Sequence, residues 1–233
     1  RDSQRIALLA LAGGFLTPAL LSSGVDAQIQ LFSYLAVLNM GLMFLARRRD
    51  WDLLPPLALA ATIAYYFGWH EQFYLAATHL LPTLAFLTLF FAQFAVLSVL
   101  QARRGERLTP LQILLLLLNA AFYLIALGDL LYDQHRPYLT LALLLLSAAY
   151  LGMMRLAPPS PARLPFAALA LTAATLAIPV QLEGEWIAIA WAIEGAALAA
   201  SGFRSGNTSL RGAALILFVL SVVTLIADLP DGG

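Results

Sequence analysis

Glu194 is a carboxylate in an otherwise apolar run, eight residues beyond Trp186. On a helix rising about 1.5 Å per residue, that distance carries it to about the middle of a hydrocarbon core roughly 30 Å thick. An ionisable group there is costly unless it is neutral, paired or hydrated, so it is a candidate for carrying a proton or for holding a polar ligand. The alternative is a protonated Glu that locks helices together by hydrogen bonding. Asn39, Gln93 and Asn119 fall at comparable depth in their own apolar runs and are candidate partners for Glu194. A midplane polar cluster of this kind suits a proton-coupled or polar-substrate site. Interhelical amide bonds also serve simply to hold helices together.

A second group gathers between the apolar runs: Asp26, His70, Glu71, His79, Asp129, Asp133, His135, Glu183 and Glu185, with Trp69, Tyr132, Tyr138 and Trp186 beside them. Histidines with carboxylates can do acid–base work or bind an ion. Asp129 and Asp133 stand at i, i+4, on one face of a continued helix, with His135 close behind, and Glu183 and Glu185 share a loop. These five are the candidate outer-face site, and within it Asp129, Asp133 and His135 are the best local candidate for a metal or a lipid phosphate. The competing reading is that acids are what remains once arginine is confined to the other side, with the aromatics as interfacial anchors. No metal and no cofactor is assigned. Cysteine is absent, which excludes disulfides, thiolate nucleophiles and Cys-ligated clusters. No P-loop, G-x-S-x-G, H-E-x-x-H or Gly-rich dinucleotide loop occurs, so nucleotide and nucleic-acid partners are not expected.

The elements that must position these groups are membrane spans. The chain is 61% hydrophobic and 11% charged, with a mean hydropathy of +0.84; soluble domains are about a quarter charged. Apolar runs bounded by charge, Pro and Gly predict an all-α polytopic bundle of about nine spans, at residues 4–22, 28–46, 53–68, 80–101, 109–130, 138–154, 164–181, 186–203 and 208–227. Residues 73–79 read as an interfacial turn ahead of the fourth span, which contains Pro82. Gly13, Gly14 and Pro18 would allow close helix approach and a kink in the first span. Ala188, Ala192, Ala196 and Ala200 form one small-residue stripe on the eighth span, and Gly195 with Ala199 a second.

Charge orients the bundle. There is no Lys, and the net charge is zero. Every second connection is basic, holding Arg1 and Arg5, then Arg47–Arg49, then Arg103, Arg104 and Arg107, then Arg155 and Arg163, then Arg204 and Arg211. The intervening connections are acidic, and of the arginines only Arg136 falls among them. Basic loops stay cytoplasmic, so the N-terminus is expected inside and the C-terminus outside, with the spans arranged as stacked helical hairpins. The arginine clusters read as topogenic and as lipid-headgroup contacts rather than as nucleic-acid patches.

Leu11-Ala12-Gly13-Gly14-Phe15-Leu16-Thr17-Pro18, then Tyr34-Leu35-Ala36-Val37-Leu38-Asn39-Met40-Gly41 leading to Arg47-Arg48-Arg49-Asp50-Trp51, and Trp191-Ala192-Ile193-Glu194-Gly195-Ala196-Ala197-Leu198 resemble the bacterial membrane protein family known as domain of unknown function 2339. The resemblance covers nearly the whole chain. It implies a long polytopic inner-membrane protein with further spans, and assigns no role to any residue. The absence of an initiator Met agrees with a segment of such a protein. Residues 1–233 are expected to form a single transmembrane domain of a multi-pass protein of the bacterial inner membrane, in contact with lipids and with further helices of the same protein. The favoured function is a non-enzymatic transport or scaffold module of the cell envelope. The alternative is a membrane-embedded enzyme acting on a lipid-linked or envelope substrate at the outer face. A single Cys placed beside Arg48 should resist impermeant thiol reagents added from outside, and one beside Glu71 should react; the reverse pattern would overturn the orientation.

Overall fold

The computed structural model describes residues 2–20, 24–182, 185–206 and 208–227. Among the described residues the chain forms nine α-helices and no strand, as the apolar runs require: α1 (Asp2–Leu20), α2 (Gln28–Arg49), α3 (Leu54–Phe73), α4 (Ala76–Ala102), α5 (Pro110–Leu131), α6 (Arg136–Leu156), α7 (Leu164–Gln181), α8 (Glu185–Ser205) and α9 (Thr208–Ala227). A short 3-10 turn, Pro161–Arg163, precedes α7. Six segments are long and apolar enough to cross a membrane, namely Gln28–Arg49, Ala76–Ala102, Pro110–Leu131, Arg136–Leu156, Pro161–Gln181 and Trp186–Arg204. The chain packs as two compact units, residues 1–130 with 149–169, and residues 131–148 with 170–233.

Helix ends follow local chemistry. Pro55 and Pro56 open α3, where their missing N–H groups cost nothing. Thr109 and Gln112 cap α5 reciprocally: Gln112 N–H donates to Thr109 Oγ1 at 3.3 Å and Thr109 N–H to Gln112 Oε1 at 3.2 Å. The same two side chains donate to the Asp52 carboxylate at 3.0 and 3.1 Å, pinning the basic loop after α2 to the start of α5. α2 ends at Asp50 in the left-handed region (φ 52), with Arg47, Arg48 and Arg49 in its last turn, where positive charge meets the carbonyl end of the helix dipole. The expected turn at 73–79 is shorter than the sequence suggests. α3 runs on to Phe73, leaving Tyr74 and Leu75 before α4, and His79 Nδ1 accepts the Leu75 N–H at 3.0 Å, so the first turn of α4 forms ahead of Pro82.

In the first unit, α2, α3 and α4 pack around an aromatic core. The Phe32 ring lies 5.2–6.1 Å, centre to centre, from those of Tyr66, Trp69, Phe86 and Phe90. α1 is held differently. Pro18 has no N–H to give to the Gly14 carbonyl one turn back, and that oxygen instead accepts the Tyr34 hydroxyl at 2.8 Å. The Tyr65 hydroxyl donates to the Phe15 carbonyl in the next position. Gly14 permits the approach, since a Cβ there would lie 3.1 Å from Leu38 Cδ1.

In the second unit, α8 and α9 form a tight hairpin. The contact stripe on α8 is Ala188, Gly195 and Gly202, spaced by seven, whereas Ala196 and Ala200 of the expected stripe are exposed. Ser221 Oγ donates to the Ala188 carbonyl at 2.7 Å, and a Cβ on Gly202 would sit 2.9 Å from Arg211 Cγ and 3.1 Å from its backbone N. Gly202→Ala is therefore expected to destabilise the protein by about 1–3 kcal/mol, read as a lower thermal midpoint in detergent. Gly41→Ala, whose Cβ meets nothing within 4 Å, should be neutral or stabilising; equal effects from the two changes would contradict this packing.

Candidate functional site

The residues that latch α1 also keep it from lying flush on its neighbours. Between α1, α2 and α3 a half-open groove of about 620 Å³ remains, lined by Thr17, Pro18 and Ala19, by Val25 and Ala27 of the following turn, by Gln30, Leu31 and Tyr34 of α2, and by Ala64, Tyr65, Gly68, Trp69, Gln72 and Phe73 of α3. This is within the roughly 300–1,000 Å³ of small-molecule sites, and the lining has their usual character, mostly apolar with a few polar groups.

The groove ends at a cluster of His, Asp and aromatic side chains where α3 turns into α4. Asp26, between the lining residues Val25 and Ala27, accepts the Gln28 N–H at 3.2 Å and the Trp69 indole N–H at 2.8 Å on Oδ1, and its Oδ2 lies 3.0 Å from His79 Nε2. Because His79 Nδ1 accepts the Leu75 N–H, the neutral ring carries its proton on Nε2, facing Asp26. His70 stacks on Tyr74 with ring centres 4.3 Å apart, and its Nε2 stands 3.2 Å from Asp129 Oδ2, at ion-pair distance but without hydrogen-bond alignment. Burial and then the Asp129 carboxylate push the Tyr74 phenol above its ordinary value, so it stays protonated at neutral pH. Chemically, this end of the first unit offers carboxylates and hydrogen-bond donors beside an apolar trough.

The midplane candidates lie at the centres of their helices. Asn39 is fully buried and donates to Thr62 Oγ1 at 2.9 Å, tying α2 to α3. Gln93 donates to the Ala36 carbonyl at 2.9 Å, tying α4 to α2, and Asn119 to the Phe91 carbonyl at 3.1 Å, tying α5 to α4. Gln93 Oε1 and Asn119 Oδ1 are buried without a partner among the described residues. In the second unit Glu194 Oε1 accepts the Thr175 hydroxyl of α7 at 2.9 Å, and Trp191 Nε1 reaches the Thr175 carbonyl at 3.4 Å. The other carboxyl oxygen of Glu194 is buried without a partner among the described residues.

The outer-face candidates divide. Asp129, at the end of α5, turns to His70. α5 stops at Leu131, so Asp133 stands in the following turn, exposed, and is not one helical turn on from Asp129. His135 precedes α6, where its carbonyl accepts the Tyr138 and Leu139 N–H groups and its ring meets the edge of Tyr138 at 5.9 Å. Glu183 lies outside the described residues, and Glu185 is described only as the first residue of α8. Among the described residues no three His, Asp or Glu side chains converge as a metal ion would need. The sequence placed Asp26, His70, His79 and Trp69 between spans but did not pair them, and it passed over Tyr34, Tyr65 and Tyr74. A hydroxyl on α2 able to meet the carbonyl freed by Pro18 is the signal that points to Tyr34.

The family model described as predicted membrane protein (DUF2339) matches residues 1–229, nearly the whole chain. The chain belongs to the DUF2339 family. It is a membrane protein, and its long apolar helices agree with that description. No curated protein and no solved structure matches it. For this DUF2339 protein the Glu194 bond gives a direct expectation. Glu194→Gln keeps an acceptor for Thr175 and should leave thermal stability nearly unchanged, whereas Glu194→Ala should lose about 1–2 kcal/mol. Equal loss in both variants would show that the carboxyl itself is required.

Proposed function

We propose that this protein is a non-enzymatic, lipid-binding transport or scaffold module of the bacterial inner membrane, crossing it about nine times with the N-terminus inside. The observation that carries this reading is the groove between α1, α2 and α3. A half-open apolar trough in a helix bundle bathed by acyl chains has lipid as its most abundant ligand, and its polar end belongs to the connections that hold a single arginine, Arg136, the side that the positive-inside rule assigns to the outer leaflet. Its partners are then membrane lipids and, through the apolar outer surface of α9 (Leu215, Ile216, Val219, Val222 and Val223 all exposed), further helices of the same protein.

The enzymatic alternative rests on the same end of the molecule, where two Asp–His pairs flank Tyr74. It is the weaker reading, because both ring nitrogens of His79 are engaged, one by Leu75 and one by Asp26, leaving that ring no free position from which to take a substrate proton. Transport through Glu194 and the midplane amides would need a route to them, and the three amides already tie helices together.

Gly68 provides the test, since a Cβ there meets nothing within 4 Å and points into the space to be filled. Gly68→Phe should leave thermal stability intact and remove one tightly held lipid per protein, counted by native mass spectrometry after detergent extraction. A wild-type protein that retains no lipid, or a variant that retains the same number, would overturn the lipid-binding reading.

A further inference from the structure

We propose that the groove selects a lipid with a primary-amine headgroup, of the phosphoethanolamine type, and that Asp26 receives the ammonium. The inference rests on the lipid-binding reading above and specifies its ligand. Asp26 follows Val25 and precedes Ala27, both of which line the groove; its carboxylate accepts the indole N–H of a third lining residue, Trp69, and it remains exposed. Its carboxylate is fixed in place by donors from three directions, the Gln28 N–H, the Trp69 indole and His79. A carboxylate offers about four acceptor positions, and the contacts among the described residues use three of them.

Charge at that end of the first unit is one-sided. The outer ends of α1 to α5 carry Asp26, Glu71 and Asp129 with His70 and His79, and neither Arg nor Lys. Among the described residues, the arginines of that unit fall at the opposite ends of its helices. A headgroup whose only charge is a phosphate meets neither Arg nor Lys at the outer ends of these helices and finds the exposed Asp26 carboxylate. An ammonium meets complementary charge, and Trp69 and Tyr34 are among the groove's lining residues, aromatic rings of the type that attract cations. The apolar lining below then receives the acyl chain, so a single molecule satisfies both parts of the site.

The experiment offers purified protein in detergent an equimolar mixture of phosphatidylethanolamine and phosphatidylglycerol with identical acyl chains, and counts the retained lipids by native mass spectrometry. Phosphatidylethanolamine is expected to be retained in preference by on the order of fivefold, the scale of one charge contact near a membrane surface, and the preference should shrink at high salt. Asp26→Asn, which keeps acceptors for Trp69 and Gln28, should bring the ratio to about one while the total retained stays the same. Equal retention of the two lipids by the wild type overturns the headgroup assignment and leaves lipid binding standing, whereas no retained lipid removes both. An unchanged preference in Asp26→Asn, or a wild-type preference indifferent to salt, overturns the role of Asp26.

Discussion

The Gly14 carbonyl must find a donor that its own helix does not supply. Pro18 removes the N–H that an unbroken helix would supply, and an unsatisfied carbonyl in hydrocarbon costs several kcal/mol. The Tyr34 hydroxyl fills the vacancy, and Tyr65 reaches the neighbouring carbonyl of Phe15. α1 is thus fastened at Gly14 and Phe15, and the groove lies beside the next residues, Thr17, Pro18 and Ala19. The same constraint governs the rest of the first unit: Asn39, Gln93 and Asn119 sit at mid-helix because each has a partner on another helix, and those bonds tie α2, α3, α4 and α5 in series.

The two ends of the first unit are built from different chemistry. One end has arginines at helix C-termini, the Asp52 clasp on the α5 cap and an exposed Arg104–Asp50 pair of 2.8 Å. That pair is surface-exposed and contributes at most about 1 kcal/mol, whereas the clasp joins two loops and fixes how α3 and α5 start. The other end has aromatic rings, two Asp–His pairs and the mouth of the groove. A single charge asymmetry underlies both the proposed topology and the proposed ligand.

Much of this was legible in the sequence because hydrocarbon imposes long-range order on composition. Apolar length located the helices, and the confinement of arginine to alternate connections separated the two ends. Glu194, Asn39, Gln93 and Asn119 were visible because a polar side chain at mid-span has few possible meanings. What was hidden depends on pairing across helices. Nothing in the local sequence says that Asp26 meets His79 and Trp69 rather than another acid's neighbour, or that Asp129 turns to His70 while Asp133 falls in the next turn. The contact of α8 with α9 was hidden for the same reason: small residues occur on several faces of α8, and the partner takes Ala188 from one expected stripe, Gly195 from the other, and Gly202 from neither.

The central claim is that α1 is latched through Gly14 and Phe15 so as to leave a lipid-filled groove. A cryo-electron microscopy map of the protein in a lipid nanodisc tests it most directly. The account predicts elongated density between α1 and α3, running along Tyr34, Tyr65 and Gly68 and ending beside Asp26. α1 packed flush against α3, with Tyr34 turned away from Gly14 and no density between the helices, would contradict it.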